Sequence, residues 1–261
     1  MADKLALVTG ASSGIGFELA RQFVDNGYDL VVAAEDEGIQ TAADSLAPTG
    51  IHVEPVQVDL RTAEGVERLY KEATATGRHV DAAALNAGVG RGESFLDSPL
   101  DDDLSIVDLN VRSTVHLAKL LLADMVRRNS GKVLFTSSIA STMPGPYQAV
   151  YHASKSFVQS FTEALHDELR DTDVTVTSLM PGPTDTNFFA RARLQNTLLG
   201  RGPKDDPAEV AKQGFEALMR GERKVLAESL TTKIMGVTNR FLPDSVKAAA
   251  ARVLNVPVGR R

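Results

Sequence analysis

A chain of 261 residues is long enough to fold as one large α/β domain around a substantial buried core. Its net charge of -6 gives no electrostatic reason to expect nucleic acid or an anionic membrane surface as a partner. Because the sequence contains no cysteine, disulfides, thiolate metal sites and cysteine nucleophiles are excluded. No stretch reaches the roughly 18 consecutive apolar residues of a membrane-spanning helix, so we expect a cytoplasmic protein.

Short apolar runs alternate with amphipathic segments of helical length along the chain. The runs are rich in Val, Leu and Ile and are continuously apolar, as strands covered on both faces are. We predict strands at residues 5–9, 29–34, 52–58, 82–85, 132–136, 175–180 and 224–227. Strand–helix alternation implies right-handed crossovers. We therefore expect residues 1–261 to form a single doubly wound α/β domain, with a parallel sheet of about seven strands and helices on both faces.

Between the strands, residues 15–26, 97–128 and 151–170 have the pattern of helices, and Gly27 is placed to end the first of them. Two regions break the alternation. Residues 184–206 mix charge, glycine and proline, and residues 231–261 follow the last strand with only helical patches. The sequence leaves open whether this C-terminal extension packs on a neighbouring subunit, covers a pocket or lies on a surface.

The turn between the first strand and the first helix is rich in glycine. Gly10 lets the chain turn sharply off the strand, Gly14 lets the backbone approach a pyrophosphate, and Gly16 lets the helix pack closely on the sheet. Free N–H groups and the positive dipole end of the helix favour phosphate at this position. A purely structural turn is the alternative, but the strand and helix context favours a dinucleotide. The predicted contacts are Gly10, Ser12, Ser13, Gly14, Ile15 and Gly16.

Tyr151 and Lys155 are four residues apart, so a helix places both on one face. A lysine cation about 4 Å from a phenol contributes about 4 kcal/mol at an effective dielectric of about 20, enough to lower the pKa by up to roughly three units. We therefore predict that Lys155 brings the pKa of Tyr151 near the operating pH, where acid–base catalysis works best. The alternative is an ordinary surface pair on a helix.

Together these motifs resemble the short-chain dehydrogenase/reductase family, whose turn is Thr-Gly-x-x-x-Gly-x-Gly and whose helix carries Tyr-x-x-x-Lys. The resemblance extends from Lys4 to about Ala227. It implies a Rossmann-type fold and an NAD(P)-dependent oxidoreductase that transfers a hydride between nicotinamide and a secondary alcohol or ketone. Further cofactor contacts are implied by family motifs at Asp59, Leu60, Asn86, Ala87, Gly88, Pro181, Gly182, Thr184 and Thr186.

The resemblance also assigns catalytic roles. It implies that Ser138 orients the substrate oxygen, with Ser137 and Ser141 as rival serines. It implies that Tyr151 moves the proton while Lys155 binds the ribose and tunes Tyr151. Asn110 resembles the family asparagine that kinks a helix and holds a water joining the lysine to solvent; a buried polar residue at a local bend is the alternative.

One departure from the family pattern and two further expectations concern the surroundings of the site. Leu85 stands where the family has asparagine, which puts one stabilising hydrogen bond in doubt but no catalytic group. In relatives, residues 188–202 form a mobile substrate lid. We expect a largely apolar substrate pocket, built from residues 139–148, residues around 89–95 and the lid. Its predicted lining includes Phe95, Met143, Pro144, Pro146, Phe188 and Phe189.

Glu35 follows the second predicted strand, and an acidic side chain there can accept bonds from the adenosine ribose and repel a 2′-phosphate. NADP-preferring relatives have Arg at this position or a basic residue at Ser13. NAD(H) is therefore favoured over NADP(H), although the commonest NAD pattern has its acid at Ala34. Glu35 pointing to solvent, and Arg61 reaching a phosphate, are the alternatives.

Other charged clusters are not interpreted as sites. Asp101, Asp102 and Asp103 begin a helix, where acids suit the dipole, so no metal site is predicted. His152 and His166 are interpreted as helix-surface residues. The family usually forms dimers or tetramers, so a homodimer or homotetramer is expected. Two other functions on this fold remain open: a non-catalytic dinucleotide sensor, and an epimerase or dehydratase.

Overall fold

The computed structural model describes residues 4–47, 50–227 and 242–259 of the chain. Seven strands form one sheet of order β3-β2-β1-β4-β5-β6-β7, and every neighbouring pair is parallel. This confirms the predicted doubly wound α/β fold. The strands are β1 Lys4–Thr9, β2 Tyr28–Ala34, β3 Val53–Gln57, β4 Ala82–Leu85, β5 Gly131–Thr136, β6 Val174–Pro181 and β7 Lys224–Ala227.

Helices cover both faces of the sheet, as the buried apolar strands require. In the described residues the α-helices are α1 Gly14–Asp25, α2 Gly38–Leu46, α3 Ala63–Thr74, α4 Leu100–Val107, α5 Ser113–Arg128, α6 Ala149–Glu168, α7 Phe188–Arg191, α8 Leu198–Arg201, α9 Pro207–Arg220 and α10 Asp244–Asn255. On one face of the sheet α3, α5 and α6 bury Leu69, Leu121 and Val158, whereas α1 and α9 bury Phe23 and Phe215 on the other.

The predicted continuous helix over residues 97–128 is wrong. It begins only at Leu100, after Pro99, and is divided into α4 and α5 by a π-helical turn, Asp108–Arg112. Side-chain hydroxyls bond backbone carbonyls at this turn: Ser113 donates to the Leu109 carbonyl and Thr114 to the Asn110 carbonyl at 2.9 Å. Such π-turns interrupt helices mostly at functional positions.

The order of the strands places the reversal of the sheet between β1 and β4. Crossovers leave in opposite directions on the two sides of this point, so a crevice opens at the carboxyl ends of the strands. In the predicted C-terminal extension, α10 and the residues that follow it to 259 are described, whereas residues 231–241, 260 and 261 lie outside the described residues.

Candidate active site

The glycine turn forms one end of the cleft. Gly10 and Gly14 have φ of +68° and +60°, which favours glycine, and a Cβ on Gly16 would lie 2.1 Å from the Gly10 carbonyl oxygen. Helix α1 therefore begins directly against the strand end. Its first turn contains no acidic side chain, and Ser13 makes no side-chain cap bond. The N–H groups of this turn consequently have no side-chain cap, as a phosphate site requires.

A single cleft runs from this turn across the carboxyl ends of the strands to Tyr151 and Lys155. All residues predicted to contact the cofactor line it, although they come from five separate loops or strand ends and from helix α6. They are Gly10, Ser12, Ser13, Gly14, Ile15, Gly16, Glu35, Asp59, Leu60, Asn86, Ala87, Gly88, Tyr151, Lys155, Pro181, Gly182, Thr184 and Thr186.

Asn86 joins the ends of three strands under the cleft. Its Nδ2 donates to the Thr9 carbonyl at 3.2 Å, its backbone N–H donates to the Thr9 hydroxyl at 3.0 Å, and its Oδ1 accepts from the Thr136 hydroxyl at 3.1 Å. The preceding residue, Leu85, is buried in the core. Asn86 thus connects β1, β4 and β5 without an asparagine at position 85.

The adenosine end of the cleft, as the sequence predicts it, is strongly acidic. Glu35 forms an ion pair with Arg61 at 2.7 Å, and the Arg61 Nε bonds the Asp59 carboxylate at 2.8 Å. The hydrogen bond from Arg61 is the main cause that lowers the pKa of Asp59. Asp36 also lines this end and accepts from the Ser12 hydroxyl at 2.8 Å. Glu35 is therefore paired rather than directed only to solvent, and Arg61 is engaged by two carboxylates.

Tyr151 and Lys155 lie together on α6, as predicted, but their protonation differs from the prediction. The Lys155 Nζ donates to the Thr136 carbonyl at 2.8 Å and lies 5.9 Å from the centre of the Tyr151 ring. Desolvation lowers the pKa of Lys155 to about 8 and raises the pKa of Tyr151 to about 12. The prediction that Lys155 brings the pKa of Tyr151 near neutrality is wrong for the protein alone, because burial of the phenol is the main cause that shifts its pKa, and it raises it.

Of the three candidate serines, Ser138 is the one in contact with the tyrosine. Its hydrogen bond with Tyr151 acts to lower the pKa of the phenol, against the larger effect of burial. The Ser138 Oγ also accepts from the Ala140 N–H at 3.1 Å. Ser137 instead donates to the Lys155 carbonyl at 3.1 Å, and Ser141 does not line the cleft.

Asn110 lies beneath the cleft rather than in its wall. Its Nδ2 donates to the Val89 carbonyl and the Ser154 hydroxyl, both at 2.9 Å, and its Oδ1 accepts from the Val89 N–H at 2.9 Å. A Cβ on Gly88 would lie 3.2 Å from the Lys155 Nζ and 3.3 Å from the Asn110 Oδ1. The absence of a side chain at Gly88 thus permits the approach of both groups to the same backbone.

The other end of the cleft is the predicted substrate pocket, and its lining agrees with the sequence only in part. Met143, Phe188 and Phe189 line the cleft, whereas Pro144, Pro146 and Phe95 do not. Phe95 is 58% exposed, because the turn that precedes α4 directs it outward.

One feature of this end was missed by sequence reasoning, and a second was left open by it. His152 is buried against Gly145 and bonds the Met143 carbonyl at 2.9 Å through Nδ1, so its interpretation as a surface residue is wrong. Burial is the main cause that lowers its pKa. The second feature is α10, which lines the cleft through Ala251, Leu254 and Asn255.

The described parts of the chain contain no group of His, Asp and Glu side chains arranged to hold a metal ion. Asp102 pairs with Arg91, and Asp103 accepts from the Ser98 hydroxyl at 2.6 Å. Among the same residues, no helix is long and apolar enough to cross a membrane.

Fold and cleft together define an oxidoreductase of the doubly wound α/β class. The profile of the short chain dehydrogenase family matches residues 4–197, and the chain belongs to the short-chain dehydrogenase/reductase family. It is 28% identical over 219 residues to the oxidoreductase UcpA of Salmonella typhimurium, covering 84% of this chain and 81% of that protein. An uncharacterized oxidoreductase of Staphylococcus aureus is 33% identical over 191 residues, covering 73% and 82% of the two chains.

Two solved structures extend the likeness to three dimensions. A short-chain dehydrogenase/reductase from Burkholderia phymatum in complex with NAD superposes with a TM-score of 0.81 at 27% identity, covering 91% of this chain and 92% of that one. A short-chain dehydrogenase from Sphingobium yanoikuyae in complex with NADPH gives a TM-score of 0.79 at 25% identity, covering 85% and 87%. The neighbours therefore include complexes with each form of the cofactor.

Proposed function

We propose that this enzyme transfers a hydride between a nicotinamide dinucleotide and a secondary alcohol or ketone, with Ser138, Tyr151, Lys155 and Asn110 as its catalytic site. One observation carries the proposal. The Tyr151 hydroxyl, bonded to Ser138, faces the same cleft as the glycine turn, with the Lys155 ammonium on the adjacent turn of α6. A proton donor and a phosphate-binding turn thus share one crevice at the switch point of the sheet.

The residues present fit such a cofactor. The uncapped N-terminus of α1 and the left-handed Gly14 would hold its phosphates, and Lys155 would hold its ribose. When bound, the nicotinamide supplies the hydride acceptor or donor. The protein supplies the orientation and the proton.

At neutral pH, Tyr151 keeps its proton, because the pKa of the phenol is raised to about 12. In ketone reduction Tyr151 donates this proton to the substrate oxygen, which the Ser138 hydroxyl holds in place. The Lys155 ammonium then stabilises the phenolate that remains. Asn110, in the π-turn beside Lys155, completes the path by which a proton returns from solvent. Alcohol oxidation reverses these steps and therefore requires Tyr151 as the phenolate, whose fraction rises with pH toward the pKa of about 12.

The test is the substitution Tyr151→Phe, which removes the hydroxyl and keeps the ring. We expect turnover of ketones to fall below about one thousandth of wild type, since general acid catalysis contributes up to about four orders of magnitude. Cofactor binding should remain within about twofold. Tyr147→Phe, on the loop just before α6, is the matched control and should keep normal turnover. Near-normal turnover by Tyr151→Phe would refute the proposal.

We further propose that NAD(H) is favoured over NADP(H). Glu35, Asp36 and Asp59 line the predicted adenosine end, and Arg61 neutralises only one of their three charges. A 2′-phosphate would therefore meet a net negative surface. The ratio of kcat/KM for NADH and NADPH measures the preference, and a ratio in favour of NADPH contradicts it. Net consumption of cofactor in the same assay distinguishes a dehydrogenase from a dinucleotide sensor or an epimerase.

The assembly that we propose is a cytoplasmic homodimer or homotetramer formed through α4, α5 and α6. Leu100, Leu104 and Val107 of α4 and Phe157 of α6 are large apolar side chains at the surface, between 40% and 67% exposed. Burial of these side chains against a second copy would remove them from water. Light scattering should give a dimer or tetramer mass that falls in Leu104→Lys. A monomeric wild type would contradict this part of the proposal.

A further inference from the structure

Helix α10 presents one face to the cleft that contains Tyr151. Ala251, Leu254 and Asn255 are spaced by three and four residues, so they share one side of the helix, and all three line the cleft. Ala251 and Asn255 are each 3% exposed, whereas Val253, on the same turn, is 59% exposed. The apolar inner face of α10 is therefore covered by the walls of the cleft rather than by solvent.

Polar bonds fix α10 to the loop that follows Ser138. The Asn255 Nδ2 donates to the Pro146 carbonyl at 3.1 Å, and the Lys247 Nζ donates to the Thr142 carbonyl at 3.4 Å. Lys247 lies in the first turn of α10 and Asn255 is its last residue, so the two bonds are made at opposite ends of the helix. Both ends of α10 are thus attached to this loop.

The segment after α10 is bound to the predicted lid. The Val258 N–H donates to the Asn196 carbonyl at 2.7 Å, and Pro257 forms a β-bridge with Thr197. The lid itself contains α7 and α8, and Leu199 of α8 lines the cleft with Leu254. The C-terminal segment therefore joins the two loops that enclose the substrate end of the cleft.

We infer that α10 is the wall that sets the size of the substrate, and that the substrate carries an apolar substituent beside its reacting carbon. This inference rests on the proposed dehydrogenase function. Met143, Phe188, Leu199, Ala251 and Leu254 make this end of the cleft largely apolar, and Arg191 of α7 is the cation among the lid and α10 residues that line it. A cationic substituent would lose its hydration there without a compensating partner, and an anionic one would have to reach Arg191, whereas an alkyl chain gains free energy with each methylene.

Substitutions at two residues of α10 should change the length of the cleft in opposite directions. Leu254→Ala removes an isobutyl group from the wall and should extend the cleft. Ala251→Leu adds a group of similar size at a buried position and should shorten it. Val253→Ala removes apolar atoms from the exposed face of the same helix, so it controls for changes in the stability of α10.

The experiment compares kcat/KM for a series of straight-chain methyl ketones of increasing length in wild type and the three variants. For the longest ketones relative to the shortest, we expect a gain of about tenfold or more in Leu254→Ala and a similar loss in Ala251→Leu. Val253→Ala should keep the wild-type profile. Affinity for the cofactor should stay within about twofold in every variant.

A second measurement does not depend on turnover. The rise in Tm that each ketone gives to the cofactor-loaded protein reports binding to the cleft. The inference is overturned if no ketone raises Tm, or if Leu254→Ala and Ala251→Leu leave the dependence on length unchanged in both measurements. If wild type turned over no ketone with either cofactor but bound ketones in a length-dependent way, the proposed function would be refuted. The inference that α10 limits the size of the bound molecule would stand.

Discussion

The buried ammonium of Lys155 should make the stability of the cofactor-free protein depend on pH. Its pKa is lowered from 10.5 to about 8 by desolvation. Between these two values the unfolded chain binds one proton more than the folded chain at this residue. Stability therefore rises with pH across this window, and the destabilisation by the charge is greatest below the folded pKa.

The magnitude follows from the two pKa values. The lowering of the Lys155 pKa from 10.5 to about 8 corresponds to about 3 kcal/mol of destabilisation at neutral pH. Raising the pH from about 7 to about 9.5 should recover about 2 kcal/mol of this amount. Lys155→Met removes the titrating group and leaves the Thr136 carbonyl without its donor, a cost that is independent of pH.

Denaturant titration gives the free energy of unfolding of wild type and of Lys155→Met at pH about 7 and about 9.5. The change with pH in wild type minus the change in Lys155→Met is the quantity to compare. Wild type should gain about 2 kcal/mol more than Lys155→Met, because all other titrating groups are shared. Tyr151→Phe should keep nearly the wild-type dependence on pH, since the unfolded and folded pKa values of Tyr151, 10.0 and about 12, both lie above the range. Parallel pH dependence in wild type and Lys155→Met would refute the assignment of a desolvated lysine.

Three further predictions test the cleft at separate points. Gly16→Ala places a Cβ 2.1 Å from a backbone carbonyl, so we expect a loss of about 1–3 kcal/mol in denaturant titration and weaker cofactor binding by calorimetry. Gly27→Ala, in open space at φ +78°, should cost about 1–2 kcal/mol and keep the affinity; equal affinities in the two variants would contradict the role of the turn. Ser138→Ala should lower kcat about a hundredfold or more, whereas Ser137→Ala should leave kcat near normal, and the reverse order would reassign the serine. Glu35→Gln should raise the NADPH/NADH ratio of kcat/KM by about tenfold, and an unchanged ratio would exclude Glu35 from cofactor choice.

The fold and the cofactor end of the cleft could be predicted because their signals are local. Each strand is a short apolar run, and Gly10, Gly14 and Gly16 each meet a conformational or packing demand within one turn. Asn110 illustrates the limit. The family resemblance implied a kink at this residue, but the bonds that hold its side chain, to Val89 and Ser154, are not contained in the hydropathy pattern.

Helical spacing decides that Tyr151 and Lys155 are neighbours, but their pKa values depend on surroundings far apart in the sequence. The Lys155 Nζ is bound by the Thr136 carbonyl of β5, and Tyr151 is bonded to Ser138 beyond that strand. The same reasoning explains why α10 could not be assigned, since Asn255 reaches its partner Pro146 across 109 residues. If α10 limits the substrate and Lys155 is the buried lysine that titrates, the reaction class depends on contacts within and near α6. The choice of substrate then depends on α10. Substitutions in α10 should then change which ketone is reduced without changing the pH dependence that Lys155 imposes on stability.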